Sequence, residues 1–139
     1  MANLTVSSVR IVESVLQYDV PASEIFETGE AVRFDTNGNC TPGNASTTVE
    51  NVVFGIATRN AERIGRAITV LEDGILDVGE ALASLAFGDL VYLSDTDGLL
   101  ADTAGTTTVV MGKVVPGWSV ASYSGAPADK LLRVRKGIS

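Results

Sequence analysis

Three features of the sequence predict an all-β domain, a small β-sandwich or barrel of about eight short strands. Apolar runs are short and end at Gly, Asn, Asp or Pro, Thr and Val are plentiful, and the 139 residues include 14 glycines. The one stretch of good helix formers, 80–86, spans under two turns between Gly79 and Gly88, so a loop or a single helical turn is expected there.

The strand segments in order are 9–16, 31–35, 52–58, 66–71, 75–78, 90–94, 109–115 and 131–135. The first is an apolar alternation in a lead-in, 1–28, that reads either as an N-terminal arm or as the first strand of the sheet. Residues 29–139 then form the β domain. Between 66–71 and 75–78 the dipeptide Asp73-Gly74 predicts a tight hairpin, because Gly supplies the positive φ such a turn requires. Asn37-Gly38 and Asp97-Gly98 carry the same chemistry and predict reversals.

The chain also reads as two duplicated β-meander halves. Gly29-Glu-Ala-Val-Arg-Phe34 resembles Gly88-Asp-Leu-Val-Tyr-Leu93, Gly38 answers Gly98, and Val52-Val-Phe-Gly-Ile-Ala57 resembles Val109-Val-Met-Gly-Lys-Val114, with the second copy 57 to 60 residues after the first. The alternative is chance recurrence in a β-rich chain.

Composition narrows the function. The formal charge of -7 repels phosphate backbones, so nucleic-acid binding is not expected. No run of apolar residues is long enough to span a bilayer, and the N-terminus lacks the basic start and unbroken apolar core of a signal peptide. Cys40 is the only cysteine, which leaves no internal disulfide and suits a reducing cytoplasm. With no histidine in the chain, a Ser-His-Asp, Cys-His or Cys/His zinc arrangement cannot be built.

Asp89, Asp95, Asp97 and Asp102 are the carboxylates clustered in sequence that an enzyme would need to converge. Ser94-Asp-Thr-Asp-Gly98 lacks the third ligand position and closing Glu of a calcium loop, so a solvated Asp-Gly turn is expected, with no metal, cofactor or catalytic residue. Binding side chains are sought instead in Val9, Ile11, Val15 and Tyr18 of the lead-in and in Trp118 and Tyr123 of the Gly/Ser/Pro-rich loop 116–127. The two rings of that loop read equally as an interaction surface or as a lid over the chain's own core. The tail 130–136 alternates apolar and basic residues, as an edge strand with one wet face does.

The order of short motifs resembles the phage capsid cement (decoration) protein family. These are Gly29 to Val32, Phe54-Gly-Ile-Ala57, Gly65 to Val70, Phe87-Gly-Asp-Leu-Val-Tyr-Leu93, Asp97 to Leu100, Gly112 to Val114 and Val134-Arg135, covering the chain from Gly29 onward. That resemblance implies a non-enzymatic virion protein, made in the host bacterial cytoplasm, that docks on the outer face of an expanded head. Its implied partners are the major capsid protein and itself, as a homotrimer in preference to a homodimer. The longer lead-in and the loop around Trp118 depart from the simplest members. A receptor- or carbohydrate-binding β module, such as a head fibre tip, is the alternative, and would need exposed aromatic platforms.

Overall fold

A computed structural model describes residues 3–120 and 123–136. The chain is all-β: β1 (Arg10–Pro21), β2 (Ala31–Phe34), β3 (Cys40–Pro42), β4 (Val53–Ala57), β5 (Ala67–Asp77), β6 (Leu90–Leu93), β7 (Leu100–Ala101), β8 (Val110–Pro116) and β9 (Lys130–Arg135). All belong to one curled antiparallel sheet in the order β3-β2-β4-β5-β9-β8-β6-β7, with β1 added to β5. Short 3₁₀ turns at Gly79–Leu82 and Gly117–Ser119 are the only helical elements among the described residues. The first of them falls where the sequence predicts at most one turn.

β5 organises the fold. β1 follows one of its edges from Ala67 to Asp77, while β4 takes Val70–Leu71 on the other edge and β9 takes Asp73–Leu76. Because two strands share one edge, the sheet cannot stay flat and curls into a half-barrel. Its ends are drawn together by backbone bonds, Gly98 N–H to Gly43 O at 2.7 Å and Ala45 N–H to Ser94 O at 2.8 Å.

The hairpin expected at Asp73-Gly74 does not exist, and 66–71 and 75–78 are parts of the single strand β5. Gly74 is absent from the glycines with positive φ. It is needed for closeness: a Cβ there would lie 2.3 Å from the Glu13 carbonyl oxygen of β1, beside a register shift between Ser14 and Leu16. The two reversals at Gly38 and Gly98 are present, with φ of 81° and 73°. Both lead into strands too short to register in the sequence pattern, β3 and β7.

The lead-in is woven into the sheet. Leu4 N–H bonds Leu100 O at 2.8 Å and Leu4 is core, β1 pairs with β5 throughout, and Ala22 and Phe26 bridge to Cys40 and Ala61. Removal of the first twenty residues would therefore strip one edge of β5.

The meander repeat extends to individual residues. β2 pairs with β4 through Ala31–Ile56, Val32–Gly55 and, after a bulge, Arg33–Val53, and β6 pairs with β8 through Leu90–Lys113, Val91–Gly112 and, after a bulge, Tyr92–Val110. Gly55 and Gly112 are equivalent, and a Cβ on either would strike the carbonyl oxygen of the next strand, Leu71 at 2.5 Å and Arg133 at 2.1 Å. The two halves are nevertheless buried differently. In the second half Val91, Leu93, Met111, Val114 and Leu132 face the main core. In the first half it is the opposite face, Ala31, Val53, Ile56 and Leu71, that enters this core. The main core is thus the back of the first meander packed on the front of the second. The front of the first meander, Val32, Phe54, Ala57 and Val70, lies under its own cover of Val20, Ala22, Phe26 and Ala61 in a second cluster.

Candidate functional site

The six interaction candidates divide into two groups. Val9 and Ile11 are partly buried against the main core, and Tyr123 is partly buried against a third cluster of Ile75, Val120 and Leu131. Val15, Tyr18 and Trp118 face solvent at 63%, 39% and 73% exposure.

Tyr123 acts as a lid and a tether. Its hydroxyl donates to Asp129 at 2.7 Å, the Arg10 guanidinium lies 5.8 Å from its ring centroid, and Arg10 pairs with Asp77 at 3.0 Å. The hydrogen bond to Asp129, together with burial and the nearby Asp77 charge, pushes the phenol up to about 12. At Asp77, burial alone would raise the carboxyl, but the Gly79 N–H and Arg10 outweigh it and hold it below the usual range. Trp118 lies in the short 3₁₀ turn that follows β8, with its backbone N–H bonding Pro127 O at 3.1 Å and its ring exposed. The same loop therefore contains one ring spent on the chain's core and one ring free of it.

Tyr18 is part of a larger surface that sequence reasoning missed. It meets Phe54 edge-on with ring centroids 6.0 Å apart, and Phe54 stacks on Phe34 at 3.9 Å with 3° between the planes. Phe54 and Leu16 also line one groove. Phe34 is 48% exposed, whereas its counterpart in the second meander, Leu93, is fully buried. The repeat contained the signal: Phe34 and Phe54 occupy positions that are core in the sister copy.

The carboxylates on which an enzyme would depend are occupied in loops. Asp95 accepts the Thr106 N–H at 2.8 Å and its hydroxyl at 2.7 Å, Asp97 accepts the Asn44 amide at 2.5 Å, and Asp89 accepts the Ala86 N–H at 2.8 Å. Among the described residues no three His, Cys, Asp or Glu side chains converge as a metal site would require. A cleft of about 490 Å³ is lined by Asp77, Glu80, Asp129 and Lys130, but Asp77 and Asp129 are engaged as above and the Lys130 ammonium donates to the Ala83 and Leu85 carbonyls. Three of its four charged walls are thus engaged by Arg10, Tyr123 and backbone groups. Cys40 is fully buried, and burial pushes its thiol up to about 11, away from nucleophilic use near neutral pH.

Neither a protein-family model nor a curated protein matches the chain.

Proposed function

We propose that this chain is a structural virion protein that binds the outer surface of a tailed-phage head and cements neighbouring major capsid protein subunits, acting with further copies of itself and without catalysis. The observation that carries the reading is the exposed ring of Trp118, presented on a loop whose base is pinned by Tyr123. A large indole held in water on a fastened loop is the side chain most often found at the energetic centre of a protein interface. The engaged carboxylates and the acidic balance support the same reading, since they leave surface as the means of action and make a DNA-lined interior unfavourable. Repetition at many equivalent sites makes modest single contacts sufficient through avidity.

The test is cosedimentation of the full chain with expanded shells lacking it. Trp118→Ala should fold normally and lose about 2 kcal/mol or more of attachment, roughly thirtyfold in apparent affinity. Undiminished occupancy by that variant, or no binding of the unaltered chain to shells, would reject the proposal.

A further inference from the structure

We infer that copies of this chain associate front to back, with the aromatic end of the first meander of one copy seated on the outward face of the second meander of the next. This deepens the reading of the chain as a surface-acting protein by naming the contact it makes with itself.

The internal repeat supplies the argument. Within one chain, a meander front is covered by a meander back: Val91, Leu93 and Met111 pack under Ala31, Val53 and Ile56. The arrangement leaves one front and one back over. The leftover front belongs to the first meander, and its own cover of Val20, Ala22, Phe26 and Ala61 stops short of Phe34, which remains 48% exposed. The leftover back belongs to the second meander, where Leu90, Tyr92, Val110 and Lys113 are paired on one outward face and only half-buried. They are equivalent to Ala31, Arg33, Val53 and Ile56, the surface that covers a front inside the chain.

A front-to-back contact is heterologous, so it generates a closed ring or an open filament and not a two-fold dimer.

The experiment uses the isolated full-length protein without capsids, so its outcome is independent of shell binding. Light scattering first establishes that the unaltered chain is larger than a monomer. Two single variants, Phe34→Cys and Lys113→Cys, are then treated with a short bis-maleimide separately and after mixing, the buried Cys40 serving as an unreactive background. Far-ultraviolet circular dichroism confirms that each is folded, and Tyr92→Cys replaces Lys113→Cys if it is not. A cross-linked pair formed in the mixture and not by either variant alone is the expected result. A monomeric unaltered chain, cross-linking of Phe34→Cys with itself, or no cross-link in the mixture would overturn the inference.

Discussion

Gly74 offers the sharpest test of why this sequence folds as it does, because a turn and a close approach demand opposite things of a glycine. The perturbation is Gly74→Asn, compared with Gly38→Asn. At Gly38, φ is 81° and a Cβ would meet nothing within 4 Å, so Asn, which tolerates left-handed backbone, should cost no more than about 0.5 kcal/mol. At Gly74 a Cβ lies 2.3 Å from the Glu13 carbonyl oxygen against the 3.4 Å at which ordinary contact begins, so β1 must retreat by about 1 Å. Interstrand bonds near 2.9 Å do not survive such a stretch, and two of them at about 1 kcal/mol each, with crowding of Leu71, come to about 2–3 kcal/mol. In a domain of this size that lowers the melting temperature by roughly 6–9 °C. Thermal and urea unfolding followed by circular dichroism would read both variants, with the urea m-value unchanged if only the folded state suffers. Equal tolerance of Asn at the two positions would refute the close-approach account and return Gly74 to a turn.

Other perturbations have equally definite outcomes. Burial raises the Glu30 carboxyl even though the Glu27 N–H bonds it, so its folded pKa exceeds the unfolded value. The stability it contributes is then present below the unfolded pKa and lost as pH rises through the folded one. Glu30→Gln should accordingly melt higher than the unaltered chain at neutral pH and no higher in acid, as melting temperature against pH would reveal. Cys40 should react with a thiol reagent at about pH 8 at least tenfold more slowly in the native protein than in urea, and equal rates would contradict its burial. A chain lacking residues 1–20 loses Leu4, Val20 and the partner of β5, and should show no cooperative melt. A melt like that of the full chain would favour the N-terminal-arm reading instead.

Local chemistry alone determined a good deal of this protein. Short apolar runs of β-branched residues placed strands where β2, β4, β6, β8 and β9 are found, Asn37-Gly38 and Asp97-Gly98 turn the chain, and the repeated Gly and Val positions disclosed two meanders that share even their bulges. These features were legible because strand alternation and positive φ are properties of a few adjacent residues. Tertiary structure decided what adjacent residues cannot encode. Asp73-Gly74 is a turn by composition and the middle of a strand in fact, since only the arrival of β1 against Gly74 distinguishes the two. Phe34 and Leu93 hold equivalent places in their meanders, yet one is in solvent and the other in the core. A strand's two faces are alike until another layer covers one of them, and which layer arrives depends on contacts far away in the chain.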